Sequence, residues 1–332
     1  FSKEERRPLA YSPDQIAIMG LDGKNIRILS KDLDGDASNV IWSNDSKSLL
    51  FTYDERAVRK IGQVSIQGKL KEVMKGLGGT TVGRPYLSGG FHASNNTIAF
   101  THGTSERPAN VGIFNEGEVQ IHTALNEDLL GHRKLGAVKE IVYKSSFDGQ
   151  EIQGWYITPP DFDPSKKYPL ILEIHGGPVA NYGPRFTTEL QLFAAAGYVV
   201  LYMNPRGSDS YGYECVNLIH HNYPSQDYDD LMAGVDALIE KGIADPEQLY
   251  VTGGSGGGVL TAWIVGKTDR FRAAVVAKPV INWTSFNLTA DGAAYFSRYW
   301  FGAFPWEDQE QYWRRSPLSL VGNVTTPTML LT

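Results

Sequence analysis

Apolar and polar positions alternate along this chain in two different ways. Up to about residue 133 the apolar residues come in short runs separated by polar turns, the pattern of strands buried on one side. Residues 16–29 form two such runs around Asp22-Gly23, a dipeptide that favours the tight turn of a hairpin. The stretch Trp42-Ser-Asn-Asp-Ser-Lys-Ser-Leu-Leu-Phe51 returns in outline as Phe91-His-Ala-Ser-Asn-Asn-Thr-Ile-Ala-Phe100. Each copy opens on an aromatic residue, turns on Asn, Asp or Ser, and closes on an apolar strand that ends in Phe. The copies stand 49 residues apart (91 − 42), in the range of one four-stranded propeller blade. Tyr11-Ser-Pro-Asp14 reads as a shortened third copy. Two or three blades do not close a propeller, so residues 1–133 are expected to be part of one, with further blades before Phe1. A β-sandwich with chance similarity is the competing reading.

From about Leu135 strands alternate with helices, the order that builds a mainly parallel sheet. Residues 168–175 and 198–203 predict strands, the second apolar throughout, as when both faces are covered. Residues 190–196 predict a short helix closed by Gly197. Leu231, Met232, Val235, Leu238 and Ile239 share one face of a longer helix. Asp227, Asp229 and Asp230 stand at its start, where the helix dipole favours acid, and Gly242 stands where a cap belongs. Residues 249–252, 274–277 and 328–331 predict strands, and 259–265 a helix ended by Gly266.

The sharpest chemical signal is Gly253-Gly254-Ser255-Gly256-Gly257, a G-x-S-x-G motif between a predicted strand and a predicted helix. That setting is the nucleophile elbow of the α/β-hydrolase fold. The serine sits on a sharp turn, and side chains on the flanking positions would strike neighbouring strands. Ser255 is therefore the expected nucleophile. G-x-G-x-x-G is absent, and Gly266-Lys267-Thr268 matches G-K-[ST] but has Thr261 where the full G-x-x-x-x-G-K-[ST] loop needs its first glycine, so a phosphate loop is disfavoured. The second signal is His175-Gly176-Gly177-Pro178 at the end of an earlier strand. On this fold an H-G-G loop supplies a backbone N–H to the oxyanion hole, and the residue after the nucleophile supplies another. Gly177 and Gly256 are the expected donors, and His175 is expected to fix the loop rather than act as a base.

With these residues the chain resembles the prolyl oligopeptidase family, especially its acylaminoacyl-peptidase and dipeptidyl-peptidase branches. The matching residues are the Trp42 and Phe91 units, Ser146-Phe-Asp-Gly149 before Ile152-Gln-Gly-Trp155, His175 to Pro178, Asn204-Pro-Arg-Gly-Ser208 with Tyr211-Gly212, Asp227-Tyr-Asp-Asp230 and Gly253 to Gly258. The resemblance implies an α/β-hydrolase domain, here residues 134–332, behind a propeller that admits only short peptides. It implies a serine peptidase, with an exopeptidase that removes dipeptides or blocked amino acids as the expected type and a carboxylesterase or an inactive binding scaffold as alternatives. One departure is Gly256, a position that is often Tyr in that family. The backbone donor survives, but a side-chain wall of the site is lost.

All seven histidines precede Ser255, whereas this fold orders its triad Ser, then Asp or Glu, then His. The acid and base are thus expected after Thr332, with both ends of the chain reading as cuts. Asp291 is a weak candidate for the acid, and His220-His221 reads as a solvated loop or a substrate contact. Arg206 is either a site wall or a bridge to a carboxylate such as Asp227 or Asp230. The aromatics from Trp283 to Trp306, with Trp283 and Tyr295 as tentative substrate contacts, line an apolar specificity pocket or pack against the propeller.

Composition narrows the partners. Lys and Arg number 31 against 37 Asp and Glu, a net charge of −6, which argues against nucleic acid. No apolar run reaches the roughly 18 residues that a membrane span needs. The single cysteine, Cys215, allows no intrachain disulfide and no cysteine metal cluster, and fits a reducing or an oxidising compartment. No cofactor and no metal is expected. A short peptide is the expected partner, and a homo-oligomer stays open.

Overall fold

The computed structural model describes residues 11–332, so the first ten residues of the expected blade region lie outside the described residues. The predicted hairpin is present as β1 (Ala17–Ile18) and β2 (Arg27–Ile28), each only two residues long. Two four-stranded meanders follow. The first is β3 (Ser38–Trp42), β4 (Ser48–Glu55), β5 (Val58–Ser65) and β6 (Leu70–Leu77). The second is β7 (Phe91–Ser94), β8 (Thr97–His102), β9 (Asn110–Asn115) and β10 (Glu118–Ile121). A single pairing, Leu77 with His102, joins them. The 49-residue repeat has a packing basis. Phe51 on β4 lies opposite Gly62 on β5, and Phe100 on β8 lies opposite Gly112 on β9. A Cβ on either glycine would stand 2.5 Å from the facing ring, so each blade makes its core by seating a Phe on a bare backbone.

After the short helix α1 (Glu127–Leu130) the chain enters a seven-stranded sheet. Its strands are β11 (Val138–Lys144), β12 (Glu151–Ile157), β13 (Tyr168–Ile174), β14 (Val199–Asn204), β15 (Ala244–Gly254), β16 (Ala273–Ala277) and β17 (Thr328–Leu331). The order is β11-β12-β14-β13-β15-β16-β17, antiparallel through β12 and β14 and parallel from there on. Every residue of β14 is buried, as its unbroken apolar run requires. The helices are α2 (Thr188–Ala195), α3 (Tyr213–Asn217), α4 (Asp227–Glu240), α5 (Gly256–Lys267), α6 (Trp283–Thr289), α7 (Ala293–Tyr295) and α8 (Gln309–Arg315). A π-helical turn, Phe296–Phe301, follows α7, and a 3-10 segment, Pro317–Asn323, follows α8. The sequence expects the helix after Ser255 to end at Gly266. It runs one residue further, and Gly266 serves a close crossing, because a Cβ there would stand 2.6 Å from Leu320 Cβ.

The blades meet the α/β domain at several loops, including Asp34, which accepts from Tyr213 N, and Thr104, which accepts from Phe186 N; two loops lie beside the candidate site or the sheet edge. The β4–β5 turn is Arg56-Ala57, with φ of 45° and 59°, a conformation that usually selects Asn and Gly. It is held by the sheet domain: Arg56 N donates to Ser210 O at 2.7 Å and Ala57 N to Ser210 Oγ at 3.1 Å. The second loop, residues 78–90 between the blades, runs beside residues 182–188. Gly183 N donates to Pro85 O (2.9 Å), Thr188 N to Val82 O (2.8 Å) and Thr187 Oγ1 to Gly83 O (2.8 Å).

Candidate active site

Ser255 stands between β15 and α5 with φ 58° and ψ −119°, a backbone conformation that costs a non-glycine residue on the order of 1–3 kcal/mol. The surroundings hold it there. Ser255 N donates to Ala277 O and Ser255 O accepts from Val259 N, both at 3.0 Å. The side chain is exposed although its neighbours Gly256, Gly257 and Gly258 are buried. The reason those neighbours are glycines is close approach. A Cβ on Gly257 would fall 2.0 Å from Ile174 O, so the start of α5 is pressed on the end of β13. The positive end of α5 thus lies directly beside the hydroxyl.

The H-G-G loop comes to the same place. A Cβ on Gly256 would stand 2.6 Å from Gly177 O and 2.9 Å from Gly177 N, and one on Gly176 would stand 3.4 Å from Ser255 Cβ. Ser255, Gly256 and Gly177 are therefore brought together. His175 is buried, and both of its ring nitrogens are engaged, Nδ1 with Gly176 O at 2.7 Å and Nε2 with Ser208 Oγ at 3.0 Å. A carbonyl only accepts, so Nδ1 carries the proton. Burial pushes the His175 pKa down to about 4, so the ring is neutral and acts as a strut for the loop.

The remaining expected site residues are placed elsewhere or deeper. The Arg206 guanidinium is buried and donates from Nε and Nη2 to Asp230 (2.8 Å each), from Nη1 and Nη2 to Asp148 (3.1 and 3.0 Å), and from Nη2 to Ser145 Oγ (3.2 Å). These contacts tie the turn before β12 to α4, the bridge to a carboxylate that the sequence offered as one of two roles for Arg206. Trp283 is buried. Its Nε1 donates to Arg315 O at 3.1 Å, and its ring packs on Tyr223, Phe286, Trp300 and Phe301. It supports a pocket floor rather than meeting solvent. Tyr295 is exposed and leans on Phe296 and Tyr299. His220 and His221 stack at 3.8 Å, partly buried, rather than forming a solvated loop.

Two features escape a reading of the sequence. An apolar cleft lined by Val179, Val216, Ile219, Tyr223, Tyr299 and Trp300 opens beside the H-G-G loop, and Tyr223 Oη donates to Gly256 O at 3.0 Å. Tyr299 and Trp300 belong to the aromatic segment that the sequence offered as a pocket lining, but Val179 and the 216–223 stretch join them only in the fold. The second is the inter-blade loop. Arg84 Nη1 pairs with Glu173 at 2.7 Å and lies 3.3 Å from where a Gly254 Cβ would be, while Tyr86 Oη accepts from Gly176 N at 2.7 Å. Burial pushes the Glu173 carboxyl up to about 7, opposed by the Arg84 guanidinium beside it.

A strained serine elbow on a mainly parallel sheet, facing an H-G-G loop and met by β-propeller blades, defines an α/β-hydrolase with a propeller cap. The profile of the prolyl oligopeptidase family matches residues 184–332, and this part of the chain belongs to that family. It is 35% identical over 301 residues to the uncharacterized peptidase YuxL of Bacillus subtilis, covering 90% of this chain and 44% of that one. It is 27% identical over 305 residues to dipeptidyl-peptidase 5 of Porphyromonas gingivalis, covering 88% and 43%. The solved structure of uncomplexed Pyrococcus horikoshii acylaminoacyl peptidase superposes with a TM-score of 0.82 at 28% identity, over 96% of this chain and 49% of that one. The chain thus spans about half the length of these relatives.

Proposed function

We propose that the protein is a serine peptidase that hydrolyses short peptides through an acyl-enzyme on Ser255. The observation that carries this reading is the elbow itself: an exposed serine at φ 58° and ψ −119°, with the Gly177 backbone packed against Gly256. Ser255 Oγ attacks the scissile carbonyl. The carbonyl oxygen gains charge and is met by the Gly256 and Gly177 amides, each worth about 10²–10³ in rate in comparable sites. The base that takes the Ser255 proton is not His175, because its ring nitrogens are committed to Gly176 and Ser208.

The apolar cleft beside Val179 and Tyr223 holds only about 10 Å³, room for a single water, so an apolar side chain next to the scissile bond enters it only if these walls part. Tyr299 is a direct wall, Trp283 packs behind Tyr223 and Trp300, and Tyr295 leans on Tyr299. Docking of the inter-blade loop against Gly176 and Gly254 supports a site at the interface with the propeller, which limits substrates by size. The names of the relatives, dipeptidyl and acylaminoacyl peptidases, support cleavage near a peptide N-terminus.

The test uses the full-length protein. A fluorophosphonate should label Ser255, and short peptides should be cut faster than matched esters and far faster than the same sequence within a folded protein. Ester turnover without peptide turnover would instead make it a carboxylesterase. Equal rates on short peptides and a long unfolded chain would sink the size limit alone.

A further inference from the structure

We propose that Tyr86, on the loop between the two blades, is a positioning residue for the oxyanion loop, so that turnover depends on the docked propeller. The proposal rests on the serine-peptidase reading. Gly177 can offer its amide to an oxyanion only if the peptide unit 176–177 holds one orientation, and two consecutive glycines do not hold one by themselves. The structure pins both peptide units that flank Gly176. Gly176 O, in the 176–177 unit, is engaged by His175 Nδ1 at 2.7 Å. Gly176 N, in the 175–176 unit, donates to Tyr86 Oη at 2.7 Å. A trans peptide unit is planar, with its carbonyl and N–H pointing opposite ways. Fixing Gly176 O therefore aims the Gly177 N–H, and fixing Gly176 N keeps that unit from swinging. One of the two pins belongs to the α/β domain and the other to the blades.

Tyr86 is itself firmly held. Its ring meets Tyr182 edge-on at 4.7 Å, and the two residues form an isolated antiparallel bridge. Its carbonyl accepts from Thr81 Oγ1 at 2.9 Å, while Ser88 Oγ accepts from Thr80 N and Thr81 N, so the loop is closed on itself. Two residues away, Arg84 is anchored on buried Glu173 at 2.7 Å. The hydroxyl thus reaches the oxyanion loop from a rigid support, and undocking the blades would withdraw it.

The test is Tyr86→Phe in the full-length enzyme, which keeps the ring on Tyr182 and removes only the acceptor of Gly176 N. A peptide aldehyde, which forms a tetrahedral adduct on Ser255, is compared with the corresponding product peptide. We expect kcat/KM to fall ten- to a hundredfold, mainly in kcat. The aldehyde Ki should rise by a similar factor, and the product Ki and melting temperature should stay near the parent's. An aldehyde Ki within twofold of the parent's would overturn the proposal, as would equal weakening of aldehyde and product. If Tyr86→Phe does not fold, Thr81→Val, which loosens the backbone carrying Tyr86, must show the same split between the two inhibitors. Ser255→Ala tests the underlying reading separately: activity that survives it sinks that reading, whereas its loss beside a neutral Tyr86→Phe sinks only the role of Tyr86.

Discussion

Replacing Gly256 by Ala tests how tightly the elbow and the H-G-G loop are fitted. The added Cβ would stand 2.6 Å from Gly177 O and 2.9 Å from Gly177 C and N. Ordinary contact begins near 3.4 Å, so something must give by about 0.8 Å (3.4 − 2.6). The helix start cannot retreat, because Gly257 is already pressed on the end of β13. The loop therefore moves, and it carries a proposed oxyanion donor with it. A misplacement of about 1 Å costs on the order of 10²-fold, so kcat/KM should fall about a hundredfold, or about 2.7 kcal/mol. Stability should fall by about 0–2 kcal/mol, since overpacking of about 1–3 kcal/mol is offset by about 1 kcal/mol of helix propensity. The assay is kcat/KM on a peptide nitroanilide together with the fluorophosphonate labelling rate and a thermal melt, all on the full-length protein. A variant with kcat/KM within threefold of the parent's and an unchanged melt would show that the loop yields freely, and the argument from close packing would fail.

Ser255→Ala should abolish fluorophosphonate labelling and lower kcat by on the order of 10⁴-fold or more without unfolding the protein; retained labelling would place the nucleophile elsewhere. Arg206→Met should destabilise by about 3–5 kcal/mol in urea titration, because it leaves the fully buried Asp230 carboxylate without its cation and with only the backbone N–H of residue 206. Per active site, KM should be unaffected; a raised KM with normal stability would return Arg206 to the substrate. Burial, with Asp54 and Asp36 nearby, pushes the Asp209 carboxyl up to about 6 from 3.8, so the fold favours its protonated form. The stability it contributes is full below about 3.8 and lost as pH rises through about 6. Asp209→Asn should therefore gain in melting temperature relative to the parent between pH 4 and 6.5 and hold that gain above. A difference that stays flat from pH 4 to 8 would refute the shift.

Much of this was local enough to be read directly. The elbow is encoded by five consecutive residues, because a strained serine needs its glycines on either side. The blades are encoded by a repeat, because each must seat a Phe, Phe51 or Phe100, on its own third strand. The all-buried β14 and the one-sided α4 follow from apolar periodicity in the same way. The reading failed where one residue type serves two purposes: Gly266 looks like a helix stop and is instead a crossing point for Leu320.

What the chain order alone could not decide is which distant groups meet at Ser255. Gly177 and Gly256 were named by analogy with a fold, but their contact exists only because β13 and β15 are neighbours in the sheet. The guanidinium of Arg206 could have faced substrate or carboxylates, and only the packing of α4 committed it to Asp230. Tyr86 sits 90 residues from Gly176 in a stretch with no chemical signature, and its hydroxyl accepts from Gly176 of the H-G-G loop only because the blades are docked there. Short-range sterics are written in adjacent residues. Hydrogen bonds across domains depend on a surface that no single segment forms, so the sequence determined the serine elbow and its turn, and the tertiary structure decided what surrounds it.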